Sequence, residues 1–255
     1  MNVTHDDGVR TVTFDRPEVM NAFTTDTAEE LADVLADADP AELDAIVLTG
    51  EGGAFSAGGD IESMAEREET PEEAYERITE TFGRVVEEAL AARVPIVAKV
   101  NGDAVGAGLA IAAVSDFAYA VESATFSCAF VRVGLIPDTG GTFLLPRLVG
   151  LRTAKRLAFT GEFFPAEEAA EMGLINEVAG DEADLDEAVA DLLDTLRERP
   201  TRTIGLAKRA IHENMGRGWK EAMDYENAVQ SQAYGTAEHE EGVAAFLEGR
   251  EPEFE

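Results

Sequence analysis

One carboxylate stands in a turn where it could transfer protons. Asp138 lies in the segment GLIPDTGG, residues 134–141, and an apolar stretch with helical character follows it. Pro, Asp and Gly are the residues that tight turns require, and an Asp in such a turn often only caps a helix. A buried carboxylate can instead act as a general acid or base, because burial raises its pKa. Burial beside Phe126, Phe130 and Phe143 would give Asp138 such a pKa.

Two glycine-rich turns upstream could donate hydrogen bonds to a developing negative charge. Residues 52–61 and 101–108 each follow directly on an apolar segment typical of a buried strand. Small residues let a ligand approach the backbone closely, and consecutive N–H groups in such turns can form an anion-binding concavity. One N–H from each turn would form an oxyanion hole, which stabilises an enolate by a few kcal/mol per donor. Tight connections that pack a helix against a strand would use the same residues.

Other kinds of site are disfavoured by what the chain lacks. No G-x-S-x-G motif occurs and no histidine lies near the glycine-rich turns, which argues against a serine hydrolase. His5, His212 and His239 are far apart and none is paired with the single Cys128, so we expect no metal site. One cysteine also rules out an internal disulfide. These residues favour enolate chemistry with a carboxylate base.

The charge of the chain is extreme and evenly spread. The 255 residues include 52 acidic and 20 basic side chains, a net charge of −32. Self-repulsion at this charge destabilises a compact state, and concentrated salt screens it with a Debye length of about 3 Å at 1 M. We therefore expect a salt-adapted cytoplasm, as in a halophile. The same charge disfavours a nucleic-acid partner, because phosphate binding needs a basic face. No apolar run reaches about 18 residues, so we expect no membrane association.

The hydrophobic pattern predicts elements that would position these turns. Apolar runs and helical periodicity alternate over the first 150 residues, which predicts an α/β fold with a parallel sheet. The predicted strands cover 10–14, 45–49, 94–100 and 117–121, and the predicted helices cover 24–37, 71–92 and 106–114. After Gly150 the pattern is helical, apart from one predicted strand over 174–178.

The order and spacing of these motifs resemble the enoyl-CoA hydratase/isomerase family, the crotonase superfamily, almost from end to end. The matching segments are 16–23, 55–61, 100–108, 134–141, 145–150, 160–161, 166–170, 173–176 and 241–248. The resemblance implies a crotonase (ClpP-like) fold, a spiral of ββα units. It divides the chain into an α/β core over 1–195 and a C-terminal helical region over 196–255, which serves in trimerisation or covers the active site.

The resemblance also implies the chemistry. The substrate would be an acyl-CoA thioester, with no cofactor because coenzyme A is part of the substrate, and the assembly would be a homotrimer or a hexamer of two trimers. The oxyanion donors would be the backbone N–H groups of Gly59 and Ala107, where the family usually has Gly at the second position. Enoyl-CoA hydratases carry two glutamates that activate water, and this sequence has Ala110 and Phe130 in their places.

Asp138 matches a functional aspartate of other members of the family. Epoxyphenylacetyl-CoA isomerases and chlorobenzoyl-CoA dehalogenases carry it, and residues 145–150 look closest to the former. A dehalogenase also needs a histidine to activate water, and none lies near the site. The resemblance therefore implies double-bond isomerisation with Asp138 as the acid/base. An enoyl-CoA hydratase with a rearranged acid/base and a non-catalytic acyl-CoA-binding subunit are the alternatives.

Substrate and CoA contacts are expected along several segments. The expected residues are Val19, Met20, Ala22, Ala57, Asp60, Ile61, Phe130, Phe246 and Arg250. The first four would line the adenine side, and Arg250 would bind a CoA phosphate of a neighbouring subunit. The family often has lysine where this chain has Glu18 and Gly249. The Asp60 side chain is better suited to cap a helix than to act as an acid, and Glu62 is expected at the surface.

Overall fold

The computed structural model describes residues 1–254, which form two β-sheets surrounded by helices. The strands are β1 (Asn2–Asp6), β2 (Val9–Phe14), β3 (Ala45–Gly50), β4 (Ala54–Ser56), β5 (Ile96–Val100), β6 (Asp103–Val105), β7 (Phe117–Val121), β8 (Thr125–Ser127), β9 (Phe163–Pro165) and β10 (Glu177–Ala179). The helices are α1 (Thr25–Ala36), α2 (Ile61–Ala65), α3 (Pro71–Ile78), α4 (Arg84–Ala91), α5 (Ala107–Val114), α6 (Gly141–Leu148), α7 (Gly150–Thr160), α8 (Ala166–Glu171), α9 (Glu182–Arg197), α10 (Thr201–Asn214), α11 (Trp219–Ala233) and α12 (Ala237–Glu248). Short 3-10 helices cover Pro17–Val19 and Ala129–Val133.

From β3 to β8, successive strands alternate between the two sheets. The six-stranded sheet has the order β1-β2-β3-β5-β7-β10, and the four-stranded sheet has the order β4-β6-β8-β9. In each of the consecutive pairs β3–β4, β5–β6 and β7–β8, the first strand belongs to the larger sheet and the second to the smaller one, and a helix follows. From β2 to β10 the larger sheet is parallel. Its central strands are apolar on both faces, as strands covered on both sides must be.

The smaller sheet was not predicted from the sequence. Its strands β4, β6 and β8 are three residues each, and β4 and β6 lie within the glycine-rich turns. A three-residue strand shows no usable hydrophobic period, and its glycine-rich surroundings favour a turn. The strand predicted over 174–178 is also misplaced. The strand is Glu177–Ala179, and the buried Leu174 and Ile175 lie in a bend before it.

The long helix predicted over 71–92 is present with one irregularity. Thr70 and Glu73 form a capping box around Pro71 at its start. Between α3 and α4 the chain forms a π-helical segment, Thr79–Gly83, in which Phe82 is buried. A π-helical turn inserts one extra residue into a helix and is frequent at functional sites.

Aromatic packing connects the first glycine-rich turn to this π-helical segment. The Phe14 ring meets the rings of Phe23 and Phe55 edge to face, with centroids 4.9 Å and 5.2 Å apart. Phe23 in turn meets Phe82 at 6.2 Å. Such edge-to-face pairs contribute about 0.5–1.5 kcal/mol each beyond their buried area. They hold strand β4, the segment before α1 and the π-helical segment together.

The C-terminal helices are attached to the core by buried polar contacts. Lys208 on α10 donates from Nζ to Asp116 Oδ2 at 2.7 Å and to the Val94 carbonyl at 3.2 Å. The buried carboxylate of Glu238 on α12 accepts from the backbone N–H groups of Arg202 and Thr203 at 3.0 Å. A carboxylate at a helix N-terminus satisfies its free donors and complements its dipole. The boundary predicted between residues 195 and 196 lies in the last turn of α9, and the division into two regions stays a prediction.

The acidic side chains of the described residues lie almost entirely at the surface. Only Asp60 and Glu238 among them are buried. Repulsion between surface charges is open to screening by salt, whereas buried pairs are screened much less. No helix in the described part of the chain combines the length and apolar character needed to cross a membrane.

We therefore expect the thermal stability to rise strongly with salt. Between about 0.2 M and 3 M KCl the melting temperature should rise by about 10 °C or more, the shift that a few kcal/mol gives in a chain of this size. Circular dichroism at each salt concentration measures it. Sucrose at matched osmolality is the control, because it strengthens apolar burial without screening charge. A melting temperature that is flat or falls in KCl would contradict the charge-screening argument.

Candidate active site

The turn that carries Asp138 is built without using its carboxylate. The preceding 3-10 helix ends at Gly134 with φ +75°, and Thr139 and Gly140 take φ +51° and +76°. The Gly141 N–H donates to the Asp138 carbonyl at 2.8 Å, which closes the turn. Helix α6 begins at Gly141 with Gly140 as its N-cap and with no side chain capping it. The helix-capping interpretation of Asp138 is therefore wrong, and the carboxylate is available for other contacts.

The surroundings of the Asp138 carboxyl favour its protonated form. Partial burial raises its pKa above the usual range and outweighs three opposing contributions, one of which is a hydrogen bond from the residue's own backbone N–H. A hydrogen bond from Thr139 Oγ1 to Oδ1, 3.1 Å long, and the positive charge of Arg77 both lower the pKa. An acid/base works best when its pKa lies near the working pH. The shift is in the direction that proton shuttling needs.

Asp138 lines a cavity of about 420 Å³. The other lining residues are Ile61, Met64, Ala65, Arg67, Glu69, Arg77, Ile78, Phe82, Val133 and Leu135. They come from α2, the segment after it, α3, the π-helical segment and the residues that precede Asp138. The mouth is open to solvent, and the wall combines apolar side chains with three charged ones. The size and the mixed lining are those of a small-molecule site.

The aromatic residues expected around Asp138 are engaged elsewhere. Phe126 stacks on Phe164 in the smaller sheet, with ring centroids 6.0 Å apart. Phe143 is partly exposed beneath the Arg147 guanidinium, which lies 3.8 Å from its ring centroid. Phe130 is buried and does not line the cavity. The apolar wall beside Asp138 is formed by other residues, namely Ile78, Phe82, Val133 and Leu135.

The two glycine-rich turns lie against each other. Gly58 has φ +91°, and a β-carbon there would lie 2.6 Å from the Val105 carbonyl oxygen and 3.2 Å from the Ala107 nitrogen. A β-carbon on Gly108 would collide with the Ser56 carbonyl oxygen. Only glycine permits this left-handed conformation and this close approach together. The turns therefore contact each other directly, as a shared oxyanion hole requires.

The N–H groups of Gly59 and Ala107 have no hydrogen-bond partner in residues 1–254. The Gly58 N–H donates to Ser56 Oγ at 3.1 Å, and the Asp60 N–H donates to the Phe23 carbonyl at 2.9 Å. The Gly59 N–H between them makes no hydrogen bond. Likewise the N–H of Gly106 donates to a carbonyl of β8, whereas that of Ala107 does not donate to any protein group. Ala107 is the first residue of α5, where N–H groups are free and the helix dipole favours negative charge.

Met64 connects the Gly59 turn to the wall of the Asp138 cavity. The Gly59 Cα faces the terminal methyl of Met64 so closely that a β-carbon would collide with it. Met64 itself lines the cavity together with Asp138. Met64 therefore lies between the first glycine-rich turn and the cavity, whereas Gly59 and Ala107 are not themselves among the residues that line it. The described residues contain no group of three or more His, Cys, Asp or Glu side chains that could hold a metal ion.

Asn21 positions the first turn, a role that the sequence analysis missed. Its buried Nδ2 donates to the Glu51 carbonyl at 2.9 Å and to the Ala54 carbonyl at 2.8 Å. Its Oδ1 accepts from the Arg16 N–H at 2.9 Å. The residue takes φ +56°, which Asn tolerates better than most residues. The sequence offered one indication of this role. Asn21 lies in a short segment, residues 20–23, that belongs to no predicted strand or helix, and Asn is a residue that often stabilises such irregular turns.

Asp60 caps a helix, as predicted. Its Oδ1 accepts from the Ser63 N–H at 3.0 Å at the start of α2, and its Oδ2 pairs with Arg16 Nη2 at 2.9 Å. The Ser63 hydrogen bond and, after it, Arg16 hold the Asp60 pKa below its usual range. The side chain is ionised and committed, so it supports the oxyanion turn and does not act as an acid. Glu62 is exposed, as predicted.

The residues expected to meet coenzyme A lie in two separate places. The Ala57 N–H donates to the Met20 carbonyl at 2.8 Å, so these two residues and Val19 form one partly exposed edge beside the first turn. Ala22 is buried there, and its carbonyl already accepts from Arg16. Ile61 lies next to this edge and lines the cavity.

Phe246 and Arg250 lie elsewhere, on α12 and just after it. Phe246 is 85% exposed and neither residue lines the Asp138 cavity. Arg250 is paired with Glu241, with Nη2 and Oε2 2.9 Å apart, and with Glu248. This pairing lowers the pKa of Glu241 to about 2. A single protomer therefore does not bring Phe246 or Arg250 to the candidate site.

Known proteins resemble this chain over its whole length. Residues 4–255 match the family described as "Enoyl-CoA hydratase/isomerase". A probable enoyl-CoA hydratase of Rhodobacter capsulatus is 37% identical over 97% of this chain and 95% of its own. The 1,2-epoxyphenylacetyl-CoA isomerase of Escherichia coli is also 37% identical, with the same coverage. The crystal structure of an enoyl-CoA hydratase of Mycobacterium smegmatis superposes with a TM-score of 0.92 at 28% identity, over 99% of this chain and 98% of that one.

These matches confirm the predicted crotonase fold, since the similarity spans both sheets and the C-terminal helices. A family match over nearly the entire sequence, together with relatives at 37% identity, leaves no segment of appreciable length outside the resemblance. The chain is a member of the enoyl-CoA hydratase/isomerase family.

Proposed function

We propose that the protein is an isomerase that moves a carbon–carbon double bond in an acyl-CoA thioester. The thioester carbonyl oxygen would accept hydrogen bonds from the N–H groups of Gly59 and Ala107. The Asp138 carboxylate would remove a proton from the carbon next to the carbonyl, which leaves a dienolate stabilised by those donors. The protonated Asp138 would then return the proton two carbons further along. No atom is gained or lost, and the double bond becomes conjugated with the carbonyl.

Two observations carry this proposal: the Asp138 carboxylate lines the cavity without forming an ion pair, and the N–H groups of Gly59 and Ala107 have no hydrogen-bond partner in the described residues. Hydration would need groups that hold and activate a water molecule, and the positions that match the hydratase glutamates carry the buried Ala110 and Phe130. Glu69 is a second carboxylate on the cavity wall, but Arg77 holds it by two hydrogen bonds and lowers its pKa. A carboxylate held in this way is a poor proton donor, which favours a one-carboxylate mechanism.

The assembly and the coenzyme contacts belong to the same proposal. Coenzyme A would enter as part of the substrate, along the edge formed by Val19, Met20 and Ala57, and no separate cofactor would take part. The chain would form trimers or pairs of trimers in the cytoplasm, with the helical region 196–255 at subunit contacts or over the active site. In such an assembly the exposed Phe246 and Arg250 would reach the coenzyme bound to a neighbouring subunit.

Conversion of two thioesters tests the proposal. The purified protein is incubated in about 2 M KCl, where surface repulsion is screened, with a 3-enoyl-CoA and, separately, with the 2-enoyl-CoA of equal length. We expect absorbance of the conjugated thioester to appear from the first substrate with no change in mass. Gain of the mass of water from the second would identify a hydratase instead. Tight binding of both with no conversion would identify a non-catalytic acyl-CoA-binding subunit.

A further inference from the structure

Two arginines share the cavity wall with Asp138, and the mechanism uses neither. Arg77 on α3 is fully engaged with Glu69, from Nε to Oε2 at 2.8 Å and from Nη2 to Oε1 at 2.6 Å. Arg67, in the segment between α2 and α3, is the second. Both are partly buried. The charged part of the wall is thus the Arg77–Glu69 pair, the Asp138 carboxyl and one additional cation, Arg67.

Arg67 has no carboxylate partner in the described part of the chain. No acidic oxygen lies within 4.0 Å of its guanidinium nitrogens. Its one side-chain hydrogen bond runs from Nη2 to Thr25 Oγ1, a long contact of 3.3 Å. A guanidinium has five N–H donors in a planar fork. Most of the donors of Arg67 therefore have no partner among the described residues, and the residue lines the cavity.

This placement of Arg67 is costly, and a bound anion would remove the cost. Burial, and next to it the charge of Arg77, lower the pKa of Arg67, and the more distant charges of Glu69 and Asp60 offset this only in part, so the charged form of Arg67 is disfavoured where it stands. Acidic side chains outnumber basic ones by 52 to 20 in this chain, so most basic side chains have acidic residues available as ion-pair partners. The lack of such a partner for Arg67 is therefore unusual. A purely structural contact to Thr25 does not need a cation.

We propose that Arg67 recognises a carboxylate at the far end of the acyl group, so that the preferred substrates are thioesters of dicarboxylic acids. Carboxylate is the planar anion whose two oxygens match the guanidinium fork. Glu69 holds Arg77 in place beside it, and Asp138 lies on the same wall towards the thioester. This inference rests on the proposed binding of acyl-CoA in this cavity, and it adds the class of acyl group that the cavity selects.

Binding of two saturated thioesters of equal chain length tests the inference without requiring turnover. Hexanoyl-CoA ends in a methyl group, and adipoyl-CoA ends in a carboxylate. We expect titration calorimetry in about 2 M KCl to give at least tenfold tighter binding of adipoyl-CoA, the ratio that one charged hydrogen-bonded contact provides. The ratio should fall as KCl is raised further, because salt screens the ion pair and leaves apolar contacts intact.

Substitutions assign the preference to Arg67. In Arg67→Gln the affinity for adipoyl-CoA should fall to that for hexanoyl-CoA, while hexanoyl-CoA binding stays as in the wild type and shows that the cavity is intact. Arg67→Lys should keep part of the preference, because it keeps the charge and loses the fork. Arg152→Gln is the matched control, since Arg152 on α7 is exposed and does not line the cavity. It should bind both thioesters as the wild type does.

Two results would overturn the inference. One is equal or weaker binding of adipoyl-CoA by the wild type, and the other is a preference that survives in Arg67→Gln. Turnover of the matching 3-enoyl thioesters separates the inference from the proposed function. A carboxylate preference in binding without isomerisation of either thioester refutes the isomerase and supports the inference. Isomerisation of both without any preference refutes the inference alone.

Discussion

Replacing Asp138 by Asn should lower kcat for double-bond isomerisation by about 10²–10⁴-fold, the contribution typical of a general acid/base. Asn has nearly the same shape and can still accept the hydrogen bond from Thr139 Oγ1. It cannot accept a proton from carbon, so only the chemical step should suffer. Initial rates at saturating 3-enoyl-CoA, followed by absorbance of the conjugated product, measure the loss. A variant with near-normal kcat would refute the assignment.

Thermal stability provides the control for this substitution. The raised pKa of Asp138 means that the native state binds this proton more tightly than the unfolded chain does. That contribution to stability is complete at low pH and is lost as the pH rises through the native pKa. At neutral pH the ionised side chain therefore disfavours folding, and the neutral amide of the Asp138→Asn variant removes that cost. The melting temperature of this variant at pH 7 should equal or exceed that of the wild type, so a lower one would attribute the lost activity to misfolding.

Removing the second oxyanion donor should have the next largest effect. Ala107→Pro deletes one N–H at the first position of α5, where proline is tolerated in helices. Loss of one such donor costs about 10²–10³-fold in kcat. The proline ring would also occupy the space in front of the residue 107 nitrogen, so the thioester carbonyl oxygen of the substrate could not approach that nitrogen. Steady-state kinetics with the 3-enoyl-CoA gives the fold-change.

Ala107→Gly is the matched control, because it keeps the N–H and restores the residue that the family usually has. Its kcat should stay close to that of the wild type. Free coenzyme A lacks the thioester carbonyl, so all three proteins should bind it equally. If Ala107→Pro turned over substrate at the rate of Ala107→Gly, the N–H of Ala107 would have no part in catalysis.

The position of the candidate site could be predicted from the sequence because backbone geometry limits the residue types there. Gly58, Gly134 and Gly140 adopt left-handed conformations that few other residues tolerate, and each stands out in the sequence. The free N–H groups follow from the same turns, since a strand that ends in a tight turn before a helix leaves donors unpaired. The fold class follows from the alternating apolar runs of the larger sheet.

The lining of the cavity could not be predicted in this way. Arg77 lies in an acidic amphipathic helix, where its spacing is typical of a solvated face, and Arg67 lies in a charged segment without a period. Phe126 is close to Asp138 in the sequence, yet its ring stacks on Phe164 across a strand pairing that was not foreseen. Side-chain partners depend on tertiary packing, and a local pattern contains no information about it. Phe246 and Arg250 lie away from the cavity in a single protomer, and a local pattern does not show the contact with a neighbouring subunit that we propose for them.

Because of the π-helical segment Thr79–Gly83, deletion or insertion of a single residue would change which side chains form the wall of the cavity. Each residue of an α-helix turns the chain by about 100° and advances it by about 1.5 Å. Deleting one residue of this segment would restore a regular α-helix and rotate α3 by that angle relative to α4, which would carry Arg77 and Ile78 away from the cavity. The Asp138 turn and both oxyanion turns lie outside the helix and would keep their places. Insertion or loss of one amino acid here is therefore an evolutionary route by which a lineage could exchange acyl groups while keeping the proposed catalytic residues unchanged.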